Sequence, residues 1–150
     1  MKKYIFAVVI ALLAITLTAC GGNSADVDVQ SQADALVTNC TFEASMEPVD
    51  ADELSFYFDV PEGTELAGYL ADGVSKEIVV CALTQSSDAA KALAASFETY
   101  AADQKQEAER YQPQEVERIE NGCTIRTQGN NAVLVICADT DSVNKVLGGK

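Results

Sequence analysis

The chain of 150 residues contains 23 acidic and 10 basic residues, no histidine, and a formal net charge of −13 at pH 7. This charge repels nucleic-acid phosphates and anionic lipid head groups, which argues against nucleic-acid binding. Without histidine, serine–histidine and cysteine–histidine catalysis and His-ligated metals are excluded, and neither a CxxC pair nor a glycine-rich phosphate loop points to a cofactor.

Residues 1–19 are typical of a lipoprotein signal peptide. Two lysines precede an apolar run over residues 4–17, and Leu-Thr-Ala then leads into Cys20. Cleavage before Cys20 and attachment of a diacylglycerol to its thiol predict a lipid anchor on the extracytoplasmic face of the cell membrane, since each buried methylene contributes about 0.8 kcal/mol. An ordinary signal peptide and an uncleaved anchor are the alternatives.

Cleavage leaves 8 basic and 23 acidic residues, a net charge of −15. Membrane contact is therefore predicted to rest on the lipid and not on the protein surface. Residues 20–32 are small, polar and acidic, and predict a flexible tether of about 20 Å beyond the lipidated cysteine. The remaining residues, 33–150, are predicted to form one domain.

The first half of this domain alternates between helical and strand patterns. Apolar spacing predicts a short helix within residues 33–42. Five carboxylates and a proline in residues 43–53 indicate a solvated loop, with a weak cation site as the alternative, although the stretch lacks the glycine and terminal glutamate of an EF-hand loop. Strict alternation over residues 54–60 then predicts a half-buried strand.

Two turns and two more strands follow. Pro61 to Gly63 predicts a turn, residues 64–70 a returning strand, and Asp72-Gly73 the next turn. Residues 78–83 are apolar on both faces, which indicates a central strand. That strand is either covered on both faces, or covered on one face and paired along both edges.

A long helix is predicted over residues 87–110, capped by Ser86 or Ser87. It should end near Tyr111, because Pro113 disfavours helical geometry in the residue before it. The predicted inward-facing stripe is Ala89, Leu93, Phe97, Tyr100, Gln104, Ala108 and Tyr111.

The C-terminal part predicts a hairpin and a closing helix. Residues 115–120 suggest a turn, and residues 123–128 and 132–138 suggest strands joined at Gly129-Asn130. A short helix over residues 141–147 ends at two glycines. The sum is an α+β two-layer sandwich: a mostly antiparallel sheet of about five strands, with the long helix and shorter helices on one face.

These features resemble a known family. A lipobox, a strand opening at Glu77, a long charged helix, Tyr-x-Pro-x-Glu over residues 111–115, Asn121 and an apolar hairpin at Gly129 are similar to the small Gram-positive lipoproteins called domain of unknown function four-three-five-eight. The similarity covers residues 54–147. It implies a membrane-anchored extracytoplasmic domain without an assigned activity.

Four residues are candidates for a small polar cleft. Glu77 precedes the central strand, and Tyr111, Glu115 and Asn121 follow the long helix. The simpler interpretation places Glu77 on the surface at a strand end, Tyr111 in the core with a locally bonded hydroxyl, and Asn121-Gly122 in a turn.

The four cysteines beyond Cys20 permit disulfides outside the cytoplasm. If the hairpin loop is Gly129 to Asn131, Cys123 lies opposite Cys137 and the pair can form a disulfide. A two-residue loop at Gly129-Asn130 places Cys123 opposite Ile136 instead. Cys40 and Cys81 are the second possible pair, and free buried thiols are the alternative for both pairs.

The functional prediction is a non-enzymatic lipoprotein that meets another extracytoplasmic protein or a cell-envelope component. No catalytic residue, metal or cofactor is predicted. The alternatives are a lipoprotein that binds a small ligand or a cation, and an enzyme that uses a carboxylate pair. About 130 mature residues leave no room for the two closing lobes of a solute-binding protein.

Overall fold

The computed structural model describes residues 27–148, so the predicted signal peptide, Cys20 and most of the predicted tether lie outside the described residues. This part of the chain forms α1 (Val29–Asn39), β1 (Met46–Val49), α2 (Ala51–Leu54), β2 (Glu65–Ala71), β3 (Ile78–Leu83), α3 (Ser87–Tyr111), α4 (Pro113–Gly122), β4 (Cys123–Gln128), β5 (Asn131–Ile136) and α5 (Thr140–Val146).

The five strands form one antiparallel sheet in the order β1-β2-β3-β5-β4. β3 and β5 lie side by side within it, and nearly all their side chains are buried. Such strands are apolar throughout because both of their faces must be covered. The predicted α+β class, with about five antiparallel strands, is confirmed.

Helices cover both faces of this sheet. Ile78, Val80 and Ala82 of β3 pack with residues of α2, α3 and α4 in the main core. The alternate residues Val79 and Cys81 pack with residues of α1 and α5. The prediction placed all helices on one face. The second helical layer exists because β3 and β5 are apolar on both sides, which the sequence pattern had left open.

The long helix is confirmed with its cap. Ser86 Oγ accepts a hydrogen bond from the Ala89 amide at 3.1 Å, which satisfies one of the free donors of the first turn. Leu93, Phe97 and Ala108 of the predicted stripe are buried. Tyr111 is not, because it ends the helix 75% exposed.

The turn predicted at residues 115–120 is wrong, since this stretch belongs to the ten-residue helix α4. Pro113 ends α3 and also begins α4. A proline at the first helical position costs nothing, because its missing amide would have no helical acceptor there. Pro113 therefore separates the two helices α3 and α4, although the sequence pattern predicted a helix followed by a turn.

The sequence-based prediction differs most from the structure in residues 43–60. The predicted loop holds edge strand β1 and the short helix α2. The predicted strand 54–60 is the end of α2 followed by turns, and only Leu54 and Phe58 among its alternating apolar residues are fully buried. Their spacing of four fits one helical face as well as it fits strand alternation.

The predicted tether also extends too far. α1 begins at Val29, inside the predicted tether, and its cap Asp28 accepts a hydrogen bond from the Ser31 amide at 3.0 Å. The other elements agree with prediction: β2, β3, β4, β5 and α5 lie where their patterns placed them, and Gly63 and Gly73 adopt positive φ in the expected turns.

Candidate functional site

Glu77, at the start of β3, has a fully buried side chain. Its carboxylate accepts hydrogen bonds from the Glu43 amide at 2.9 Å and the Ala44 amide at 2.8 Å, and the Ser75 hydroxyl lies at 3.3 Å. These donors replace water around the carboxylate and make its burial tolerable. The surface position proposed for Glu77 as the simpler interpretation is wrong.

Arg118 of α4 connects this carboxylate to two others. Its guanidinium pairs with Glu115 and Glu43, and its Nε lies 3.6 Å from Glu77 Oε1. We call Glu43, Glu77, Glu115 and Arg118 the Arg118 cluster. The cluster joins the segment before β1, the start of β3 and helix α4.

Glu115 is held by donors on two sides. Burial by itself raises the pKa of Glu115, but hydrogen bonds from Arg118 and from the Lys76 amide, at 2.9 Å, outweigh burial and hold that pKa below 4.5. Lys76 also pairs with Glu107 of α3 at 2.9 Å. Both buried carboxylates have hydrogen-bond donors, so the cluster fixes the segment before β1, the start of β3 and helix α4 relative to one another.

A cleft of about 330 Å³ lies beside the Arg118 cluster, and Asn121, Glu117 and Cys137 are among its lining residues. The structure therefore brings together three of the four predicted cleft residues: Glu77 and Glu115 through Arg118, and Asn121 on the adjacent wall. Tyr111 does not join them. Its predicted alternative in the core is also wrong, because its side chain is exposed.

A second site was missed by the sequence prediction. Residues 55–59 lie against α3 and enclose an open groove of about 550 Å³. We call Phe56, Tyr57, Phe58 and Tyr100 the aromatic groove. Phe56 is 86% exposed and Tyr57 is 43% exposed, whereas Phe58 is buried. Two neighbouring exposed aromatic side chains beside a groove make this region a candidate interaction surface.

The aromatic groove is anchored on α3. The Phe58 ring packs edge-on against Phe97, with ring centroids 4.9 Å apart, and its centroid lies 5.0 Å from that of Tyr100. Tyr57 meets Tyr100 edge-on at 6.2 Å. The Asp59 amide donates to Ser96 Oγ at 2.9 Å and fixes the end of the segment. The segment that carries the exposed rings is therefore anchored to α3 through Phe58 and Asp59.

Acidic side chains line this groove together with the rings. Asp59 and Asp103 are among its lining residues. Burial raises the pKa of Tyr100 to about 12, and the charges near it act in the same direction, so its hydroxyl stays neutral at ordinary pH. The groove therefore presents aromatic faces beside carboxylates, an arrangement that suits a cationic side chain.

The sequence contains one indication of this groove, which the prediction of a strand over residues 54–60 overlooked. Three consecutive residues, Phe56 to Phe58, are aromatic, so at least one ring must point away from any half-buried strand face. The partner Tyr100 was placed correctly on the long helix. Only the fold shows that Tyr57, Phe58 and Tyr100 meet.

The hairpin has the two-residue loop, which settles the first disulfide prediction. Gln128 pairs with Asn131 and Cys123 pairs with Ile136. Cys123 and Cys137 are therefore not opposed, and the predicted bridge between them is wrong. The structure holds Cys40, Cys81, Cys123 and Cys137 in the reduced form, so it does not contain the possible Cys40–Cys81 bridge either. Cys123 contacts the main core, whereas Cys40, Cys81 and Cys137 contact the opposite one.

The fold and these sites define an α+β domain with an internal charge cluster and an exposed aromatic groove. No family model, curated protein or solved structure matches the chain. The resemblance to domain of unknown function four-three-five-eight stays a prediction. Among residues 27–148, no helix is long and apolar enough to cross a membrane, and no group of three or more ligand-type side chains is placed to hold a metal ion.

Proposed function

We propose that this protein is a lipid-anchored extracytoplasmic domain that binds a partner protein through the aromatic groove. The anchor rests on the Leu-Thr-Ala-Cys box ending at Cys20. The binding role rests on one observation above all, the 86% exposure of Phe56 beside Tyr57 on a segment that is anchored to α3. Exposing a phenylalanine to water gives up roughly 1.5–3 kcal/mol of burial, which a partner can recover.

The chemistry of the groove indicates the kind of partner. Asp59 and Asp103 lie among aromatic rings, and the mature chain carries a net charge of −15. A partner segment that presents a lysine or arginine would meet both the ring faces and the carboxylates, while Phe56 packs against its apolar residues. The long-range negative field would speed the approach of such a basic partner.

The Arg118 cluster supports a non-enzymatic role. Its two buried carboxylates are held by backbone amides and a guanidinium, and Arg118 links three segments of the fold. A general acid or base needs a carboxylate free to change its protonation state near the working pH. The alternative function, an enzyme that uses a carboxylate pair, is therefore less well supported than a binding module.

The test places a photo-crosslinking amino acid, p-benzoylphenylalanine, at position 56 of the full-length protein in its own cells. Position 111 is the matched control, because Tyr111 is also an exposed aromatic residue at 75% exposure but is not a groove residue. We expect a discrete crosslinked product from position 56 and none of that mass from position 111. Identical products at both positions, or none at either, would contradict the proposal.

Two variants complete the test. Asp59→Asn with Asp103→Asn should weaken the position-56 crosslink, since the carboxylates are proposed to recognise a basic side chain. Glu109→Gln, on the exposed surface of α3, is the charge control. Cys20→Ala tests the anchor separately, because it should leave the precursor uncleaved or release the protein. A variant retained at the membrane with the mature mass would refute lipidation.

A further inference from the structure

Two cysteines lie at the same end of the sheet, on neighbouring segments of the chain. Cys40 is the residue directly after α1, and Cys137 is the residue directly after β5. Their following residues are joined, because the Ala138 amide donates to the Thr41 carbonyl oxygen at 3.1 Å. This hydrogen bond holds the two backbones side by side where the cysteines lie.

Both side chains belong to the same core. Cys137 is fully buried and Cys40 is half-buried, and both belong to the α1–α5 side of the sheet with Val143 of α5. Burial is the main cause that raises the pKa of Cys137 to about 11, and the nearby Cys40 thiol contributes in the same direction. Both thiols therefore lie on the same side of the sheet, in the core between the sheet and the helices α1 and α5.

The other cysteines are placed differently. Cys81 lies opposite Val133, four residues before Cys137 and so about 13 Å away along β5. Cys123 contacts the main core on the opposite side of the sheet. A disulfide requires α-carbons within about 4.4–6.8 Å, which excludes Cys81. Cys123 is excluded because its side chain faces the other side of the sheet from Cys137. Cys40 is the cysteine that the fold places beside it.

We propose that Cys40 and Cys137 form a disulfide in the exported protein. This inference rests on the extracytoplasmic location given under the proposed function, since a reducing cytoplasm keeps such thiols reduced. The bond would tie the end of α1 to the end of β5, next to the cleft of the Arg118 cluster. Cys81 and Cys123 would stay reduced.

The reaction is thiol–disulfide exchange with an envelope dithiol oxidase or a small-molecule disulfide. The more accessible Cys40 thiolate attacks one sulfur of the oxidant and forms a mixed disulfide. Cys137 then attacks the Cys40 sulfur and displaces the second oxidant thiol. The two cysteines lose two protons and two electrons in all, and the oxidant disulfide becomes two thiols.

The experiment uses full-length protein extracted from membranes under acid quench, then denatured and alkylated without reduction. Trypsin with an aspartate-specific protease leaves the four cysteines on separate peptides, within residues 34–49, 77–87, 119–126 and 127–138. We expect the 34–49 and 127–138 peptides linked to each other, and Cys81 and Cys123 alkylated. Alkylated Cys40 and Cys137, or any other pairing, overturns the proposal.

Variants separate this bond from the other thiols. Cys40→Ser should leave Cys137 alkylated, whereas Cys81→Ala and Cys123→Ala should keep the linked peptides. The reduced protein, incubated with oxidised glutathione, should form the same link. If it forms there but is missing in protein from cells, the premise of export fails and the proposal with it. Crosslinking at position 56 does not depend on thiols, so the two proposals can fail separately.

Discussion

At the scale of single residues, Arg118 has a structural role that the sequence did not reveal. It is the shared cation for two carboxylates whose side chains are 7% and 0% exposed. Buried carboxylates without a counter-charge are far more costly than paired ones, because the desolvation penalty stays while the attraction is lost. The prediction of a polar cleft identified Glu77 and Glu115 from their places near element ends, but it omitted the residue that joins them.

Arg118→Met should therefore destabilise the domain by about 3–5 kcal/mol, since it keeps an unbranched apolar stem and removes the guanidinium with its charge and donors. Urea unfolding followed by circular dichroism measures this change. Lys91→Met is the matched control: Lys91 pairs with Asp88 on the exposed surface, and such pairs contribute about 0–1 kcal/mol. Equal losses in the two variants would show that the Arg118 cluster adds nothing beyond surface charge.

The buried thiol of Cys81 should make the stability of the domain depend on pH. Burial raises the pKa of its thiol from 9.0 to about 12. Above pH 9 the unfolded chain loses this proton while the folded chain keeps it, so the protonated thiol's contribution to stability is full below pH 9 and is lost as the pH rises toward 12. Each pH unit in that window costs the wild type about 1.4 kcal/mol.

Cys81→Ala removes this titration and leaves a small cavity. We expect the variant to be less stable than the wild type at pH 7, with the difference shrinking steadily between pH 9 and pH 11. Val79→Ala, on the same side of the same strand, is the control without a titrating group. Free energies of unfolding at four pH values decide the matter, and parallel curves for both variants would contradict the raised pKa.

At the scale of elements, a helix or strand was predicted correctly where several independent sequence signals agreed. The long helix had a capping serine, a helical apolar period and a terminating proline, and β3 and β5 had apolar runs of strand length. Residues 43–60 had only one signal at a time: charge density suggested a loop, and alternation suggested a strand. Contacts distant in sequence decided that region, since Asp59 is bonded to Ser96 and Phe58 packs on Phe97.

Ser86→Ala tests the cap at this scale. The change removes the side-chain acceptor of the Ala89 amide and should cost about 1 kcal/mol. Ser87→Ala is an adjacent control with the same chemistry, because Ser87 is the first helical residue and an alanine there favours the helix slightly. Thermal unfolding of the two variants should thus shift in opposite directions, and a larger loss at position 87 would place the cap there.

At the scale of the whole molecule, the sequence predicted the class of the fold but not its second helical layer. Strands that are apolar on both sides fit two covered faces, but they also fit one covered face with both edges paired. The start of α1 also lay in the predicted tether, and α5 offered few apolar residues. The aromatic groove was hidden for a related reason. Sequence patterns describe one element at a time, and both features depend on how separate elements meet.

The net charge of −15 on the mature chain gives the whole molecule its own prediction. Like charges across the surface repel one another, and folding brings them closer, so dilute buffer should destabilise the folded state. At 0.1 M salt the Debye length falls to about 10 Å, which screens most surface pairs but affects the buried Arg118 cluster much less. We expect the Tm to rise by a few degrees from 10 mM to 200 mM sodium chloride.

Calcium chloride at matched ionic strength should add little more, because residues 27–148 hold no group of three or more ligand-type side chains arranged for a metal ion. A calcium-specific rise far beyond that of sodium would instead favour the cation-binding alternative, and a fall in Tm with salt would mean that attractive pairs outweigh the repulsion.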